Sequence, residues 1–331
     1  MKRILSLLAV VLLSLSALTA CSSDTPAEAE TSTVKVGIAI YKFDDTFMTN
    51  YRNEMEAYFA TMNTDSVTYE VSITDGKNDQ ATQTEQIDSF IAQGYNLLIV
   101  NLVDLTAAST IIEKVKAADI PTVFINRQPS ADDMQLWDKI TYVGAKAEDS
   151  GTFQGEIAVD LWNADPALDK NGDGVMQYVM LMGQEIHQDA ALRTEYSIKK
   201  VVDSGIEVEK LFEERGNWDR VLGQEKMAAA IAQFGDEIEM VFGNNDDMAL
   251  GAIEALKAAS MVVPVIGVDA TAPALDAIAA GDLAGTVLND SVGQAHTSVD
   301  KALALLAGET LEKEYWVPYV KVTPENYTEF Q

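Results

Sequence analysis

The sequence predicts an α/β protein made of two doubly wound parallel-sheet lobes. Short apolar runs alternate with helical stretches along the chain, which is the pattern of βαβ units. That rhythm runs twice, over halves of comparable size, and no short-period repeat interrupts it. The apolar content of 47% is enough for two lobes with their own cores.

Taken in order, Val34–Ile40 reads as a buried strand. A helix follows from Asp45 to Met62, with Asp44 or Asp45 as its cap. Val67–Thr74 is a strand, Asp79–Gln93 a helix and Leu97–Val103 an apolar strand. A helix spans Thr106–Ala118, and strands follow at Pro121–Asn126 and Thr141–Gly144. The second half has a helix at Ser150–Asn163, a strand at Gln177–Met182 and a helix at Asp189–Ser204. Further strands fall near Val208, at Met240–Phe242 and at Val265–Val268, with helices between.

Open parallel sheets bind ligands beyond the carboxyl ends of their strands. Polar groups recur at those positions in both halves: Asp45, then Asn126 with Arg127, then His187, Asp189 and Arg193. Asn245, Asp269 and Asn289 close the set. Amides pair donors with acceptors, and the carboxylates and Arg193 make charge-assisted bonds, as vicinal hydroxyls require. Phe47 and Trp218 supply flat apolar faces, one per half, for the C–H faces of a sugar ring. Singly, each has an ordinary reading: Asp45 caps a helix, Asn245 and Asn289 close turns, the aromatics are core and His187 is surface. Together, so many polar groups after successive strands exceed turn chemistry.

Asp169, Asn171 and Asp173 place side-chain oxygens at positions 1, 3 and 5 of a loop, with Gly174 at 6, the Val175 carbonyl at 7 and Gln177 at 9. That is most of an EF-hand loop for Ca²⁺. Position 12 is Met180 rather than a bidentate Glu, and the alternation there reads as a strand. A solvated Asp/Asn/Gly turn is the bland alternative.

The first residues read as an export signal over 1–20: Lys2 and Arg3, an apolar stretch from Ile4, then Leu18-Thr19-Ala20-Cys21. The last four resemble a bacterial lipobox, which implies lipidation of Cys21, the chain's single cysteine. A plain signal peptide with an unpaired cysteine is the alternative. Residues 21–33 read as a flexible tether. The formal net charge is −29, and losing Lys2 and Arg3 makes it more negative still. Nucleic acid and anionic lipid are poor partners for such a surface. No P-loop, nucleophile elbow, dinucleotide fingerprint or catalytic Cys–His set is present.

From Val34 onward the chain is similar to the bacterial D-galactose/D-glucose-binding proteins, the solute-binding components of sugar ABC importers. Six motifs in order carry the resemblance. They are Tyr41–Met48, the cation loop, His187-x-Asp189-x-x-x-Arg193, Asn244-Asn245-Asp246, Gly267–Ala270 and Gly285–Asp290. It implies a type I periplasmic-binding-protein architecture with a three-strand hinge, crossed near Gly144, Asn289 and Tyr315-Trp316. The lobes are then 34–144 with 290–315, and 145–288 with 316–331. The resemblance assigns hydrogen bonding to the sugar to Asp45, Asn126, His187, Asp189, Arg193, Asn245, Asp269 and Asn289, with Phe47 and Trp218 as the stacking pair. It also makes Glu239 the carboxylate that completes a structural Ca²⁺ site.

The implied protein is an exported, lipid-anchored or periplasmic monomer and not an enzyme. It closes on galactose or glucose and presents it to a membrane permease; a chemoreceptor as a further partner stays open. Three features depart from the family pattern. Arg127 stands where the family's best-known member has a lysine, Gln184-Glu185-Ile186 replaces a Gly-rich turn, and Val175 stands where a polar residue is usual, which does not affect a carbonyl ligand. Other ligands, a pentose or a signalling sugar, stay open. A glycosidase built on Asp45, Asp189 and Asp269 is a rival reading, and a sugar-responsive repressor core, which lacks its DNA-binding head here, is another.

Overall fold

The computed structural model describes residues 31–331, so the predicted leader, Cys21 and most of the tether lie outside the described residues. The first lobe is laid down by β1 (Ser32–Ile40), α1 (Thr46–Thr61), β2 (Val67–Asp75), α2 (Gln80–Ala92) and β3 (Leu97–Val100). It continues with α3 (Ala108–Ala117), β4 (Thr122–Ile125), the single turn α4 (Ala131–Met134) and β5 (Ile140–Gly144). The second lobe contains α5 (Ala147–Ala164), β6 (Val175–Met182), α6 (Gln188–Asp203), β7 (Glu207–Arg215) and α7 (Arg220–Phe234). It ends with β8 (Met240–Gly243), α8 (Asp246–Ala258), β9 (Val265–Ile266), α9 (Ala272–Ala280) and β10 (Thr286–Leu288). The chain then returns through α10 (Ser291–Leu306), β11 (Glu314–Trp316) and β12 (Val320–Val322).

One sheet has the order β11-β5-β4-β3-β1-β2, and every pairing in it is parallel. The other, β7-β6-β8-β9, is also parallel, and single bridges at Ile266–Gly285 and Asp269–Leu288 attach the antiparallel pair β10-β12 to it. Strands such as Leu97–Val100 are buried along their whole length, because helices cover both faces of a parallel sheet.

The returning chain joins each lobe separately. Ala295, Val299 and Ala302 of α10 share a core with Tyr51, Met55 and Phe59 of α1. Val322 of β12 packs into the second lobe with Ala274 and Leu283. Three segments therefore cross between lobes, after β5, after β10 and after β11. Trp316, grouped from sequence with the second lobe, lies in the first sheet, paired with Gly144.

Local chemistry moves several element ends. The apolar run at Leu97 leaves the ladder at Val100, not Val103. There the Asn101 carboxamide accepts from Tyr41 N–H and donates to Ile125 C=O, while Gln83 satisfies Val103 N–H and Asn101 C=O. Side-chain amides thus replace ladder bonds at the strand ends that face the cleft. Helix α5 starts at Ala147, earlier than Ser150, with Glu148 and Asp149 in its first turn, where carboxylates favour the helix N-terminus.

Candidate functional site

All ten residues singled out for ligand binding line one cavity between the lobes. The parallel topology brings them together, because each follows the carboxyl end of a strand. From the first lobe, Asp45 caps α1, its Oδ1 accepting from Met48 N–H at 2.8 Å, while Oδ2 accepts from the Tyr41 hydroxyl. Asp44, the alternative cap, is exposed and sits beside Lys42. Phe47, in the first turn of α1, stands edge-on to Tyr51 with ring centres 5.9 Å apart. Asn126 follows β4.

From the second lobe, His187 caps α6. Its Nδ1 accepts from Asp189 N–H at 3.1 Å, so the neutral ring carries its proton on Nε2, which faces Asn126 Oδ1 at 3.3 Å. Burial, with Arg127 and Arg193 nearby, holds His187 well below its ordinary pKa. Asp189 is pushed up to about 6, first by burial, although Arg193 opposes the shift. Arg193 donates to Asn244 C=O at 2.7 Å and to the Tyr319 hydroxyl at 2.9 Å. It lies 3.3 Å from Asp189 Oδ2. Burial disfavours its charge, but Tyr319, Asp189 and Asp269 more than reverse this, so it stays a fixed cation.

Asn245 caps α8 through Met248 N–H and donates to Trp218 C=O. Asp269 accepts from Asn289 Nδ2 at 3.1 Å, and burial raises its carboxyl well above the usual range. Asn126, Trp218 and Asp269 have φ of 59°, 68° and 124°, three non-glycine residues in the left-handed region. Such backbone costs about 1 kcal/mol or more per residue and concentrates at binding sites.

Tyr41, Met48 and Arg127 also line the cavity; Arg127 stands out in the sequence as the strand-end neighbour of Asn126, but none of the three belongs to the ten assigned to the ligand. Tyr41 is the first residue after β1, and its hydroxyl-to-Asp45 bond depends on packing that no local pattern reports.

The lobes touch directly in this conformation. Thr46 Oγ1 donates to Asp247 Oδ2 at 2.6 Å, Arg127 Nη2 to Gln184 Oε1 at 2.6 Å, and Gln184 Nε2 to Asn78 Oδ1 at 3.2 Å. The cleft is closed.

The predicted cation loop precedes β6. Asp169 accepts from the N–H groups of Gly172, Asp173 and Gly174, and Gly172 and Gly174 supply the positive φ of the turn, 75° and 78°. Glu239, 1% exposed, reaches the loop from the residue before β8. Its two oxygens accept from Lys170 N–H at 2.7 Å and Gln177 N–H at 3.0 Å. Gln177 Oε1 is buried without a protein partner, while its Nε2 donates to Asp173. Among the described residues no group of three His, Cys, Asp or Glu converges as a metal cluster. The oxygen set here mixes carboxylates with the amides of Asn171 and Gln177.

A model of the periplasmic binding protein domain matches residues 36–310. The D-galactose/methyl-galactoside-binding periplasmic protein of Haemophilus influenzae is 39% identical over 306 residues, covering 89% of this chain and 91% of the relative. A putative rhizopine-binding protein of Rhizobium meliloti is 41% identical over 315 residues, covering 93% and 94%. Among solved structures, an ABC transporter solute-binding protein from Bacillus halodurans with bound myo-inositol superposes with a TM-score of 0.79 at 31% identity, covering 91% of this chain and 98% of that one. By these matches the chain belongs to the periplasmic binding protein family.

Proposed function

We propose that this protein captures D-galactose or D-glucose outside the cytoplasm and delivers it to the permease of an ABC importer. The observation that carries the reading is the closed cavity, in which both lobes contribute ionic, amide and aromatic groups. A ligand held from both sides favours the closed state by its differential contacts, and the three crossing segments act as the hinge. His187, Asp189 and Arg193 come from one lobe, Asp45, Asn126 and Phe47 from the other. The similarity to a galactoside-binding relative supports the hexose.

A cyclitol is the second reading, favoured by the likeness to a rhizopine-binding relative and to a structure holding myo-inositol. Titration of tryptophan fluorescence with galactose, glucose, myo-inositol and ribose separates the two. Saturation by a hexose in the low-micromolar range or tighter, with no sugar consumed, supports the first. Saturation by myo-inositol alone replaces it with the second, and turnover of a nitrophenyl galactoside would argue for a glycosidase.

The loop and Glu239 fit a bound Ca²⁺. The site offers Asp169, Asn171, Asp173, the Val175 carbonyl, Gln177 and Glu239, and the buried unpartnered Gln177 Oε1 is the acceptor such an ion would satisfy. There the ion would neutralise clustered carboxylates and tie the loop to the strand through Glu239. Lipidation of Cys21 would hold the protein near its permease and raise the effective concentration. A chemoreceptor that reads the same closed form is consistent with this arrangement.

A further inference from the structure

We propose that Gln184 is a closed-state latch, a positioning residue that sets the affinity of the cleft without lining it. This rests on the reading of the cleft as a sugar site that works by lobe closure. Gln184 sits in the turn after β6, where the sequence departs from the Gly-rich pattern, and it is 9% exposed. Both ends of its amide reach into the opposite lobe: Oε1 accepts from Arg127 Nη2 at 2.6 Å and Nε2 donates to Asn78 Oδ1 at 3.2 Å.

Both partners are fastened to Tyr41. Asn78, with φ of 55°, donates its N–H to Tyr41 C=O at 2.7 Å. The Arg127 guanidinium lies 3.8 Å from the centre of the Tyr41 ring, and the Tyr41 hydroxyl donates to Asp45 in the cavity. Closure at Gln184 is thereby joined to the orientation of a predicted sugar ligand.

The energetics depend on the lobe state. Arg127 is 1% exposed. Its Nη1 donates to Val103 C=O at 2.7 Å, its Nη2 to Gln184, and its Nε has no partner. A buried guanidinium short of acceptors is costly, whereas water satisfies it once the lobes separate. Removing Gln184 therefore penalises the closed state specifically. Apparent affinity scales with the closed, binding-competent fraction, so every ligand should lose by the same factor.

The test compares the wild-type protein with Gln184→Ala and Gln184→Glu. Small-angle scattering reports lobe separation without ligand, and fluorescence titration gives affinity for galactose, glucose and myo-inositol. The proposal expects a larger ligand-free radius of gyration for Gln184→Ala, with affinities about tenfold weaker by a common factor. It also expects saturated complexes as compact as wild type. Gln184→Glu, which still accepts from Arg127 but loses the donation to Asn78, recovers most of the compactness and affinity that Gln184→Ala loses. A Gln184→Ala protein with wild-type compactness and affinity overturns the latch, as does a loss confined to one ligand. If the wild type binds none of the three, the sugar assignment falls, while ligand-free scattering still decides the latch.

Discussion

At Gly183 one methyl group tests the aromatic face of the site. A Cβ there would come within 2.0 Å of Trp218 Cζ2, and Gly183 N–H is committed to Asn244 Oδ1 at 3.0 Å, so the ring and not the strand end must move. Trp218 stands edge-on to His187, with ring centres 5.4 Å apart, and its displacement disturbs two proposed ligand contacts. Overpacking costs about 1–3 kcal/mol. Gly183→Ala should therefore weaken sugar binding by about tenfold or more while every polar ligand remains in place. Calorimetric titration checks this, and unchanged affinity would remove Trp218 from the site. The ten lining residues were legible because each occupies the place after a strand where parallel sheets present their ligands. Arg127 stood out in the same way beside Asn126, but its contact with Tyr41, and that of Tyr41 with Asp45, did not, because a stacked cation and a hydroxyl bond leave no local pattern. Gln184 registered in the sequence only as a departure from pattern, since its partners lie 57 and 106 residues away.

Elements, unlike pair contacts, are written locally. Asp79 caps α2 through Thr82 N–H and Asp219 caps α7 through Leu222 N–H, and apolar runs mark the buried strands. What the local pattern missed is where a side chain takes over a ladder bond, as Asn101 and Gln83 do beyond β3. The junction of the cation loop with β6 and β8 shows the same division. The proposed ligands in the loop are legible by spacing, whereas Glu239 is distant in sequence and entered through resemblance alone. With Ca²⁺ at about a hundred times its dissociation constant, linkage adds about 2.7 kcal/mol to folding stability. The wild-type melting temperature should therefore rise with Ca²⁺ and fall on chelation. Glu239→Gln should melt lower without metal, because Gln177 N–H or Lys170 N–H loses its acceptor, at about 1–3 kcal/mol. It should also lose most of the Ca²⁺-dependent increment. A wild-type melt insensitive to both Ca²⁺ and chelator would return the loop to a solvated turn.

The molecule as a whole carries buried carboxyls whose protonation works against its acidic surface. Asp246, the first residue of α8, is fully buried and accepts from Thr271 N–H, Thr271 Oγ1 and Thr286 Oγ1. Burial still pushes it up to about 7, while Asp189 is pushed up to about 6. In the unfolded chain both return to the ordinary range near about 4. Between about pH 4 and their folded values the native state therefore binds more protons than the unfolded state. For these groups stability increases as pH falls through that window and decreases as pH rises. His187 acts in the opposite sense. Its depressed pKa keeps it neutral in the fold, so its contribution is present above about pH 6.5 and is lost as pH falls below that. The two trends overlap, and a bare melting profile does not separate them. Asp246→Asn does, since it keeps the shape and removes the charge at a residue outside the cavity lining. Relative to this variant, the wild type should gain stability as pH falls from 8 to 5, because the cost of ionising Asp246 together with the buried Asp269 carboxyl that its charge opposes disappears over that range. The measurement is the difference in unfolding free energy between the two proteins across that range. A difference that stays flat would mean that the threonine hydroxyls and the Thr271 N–H hold Asp246 ionised despite its burial.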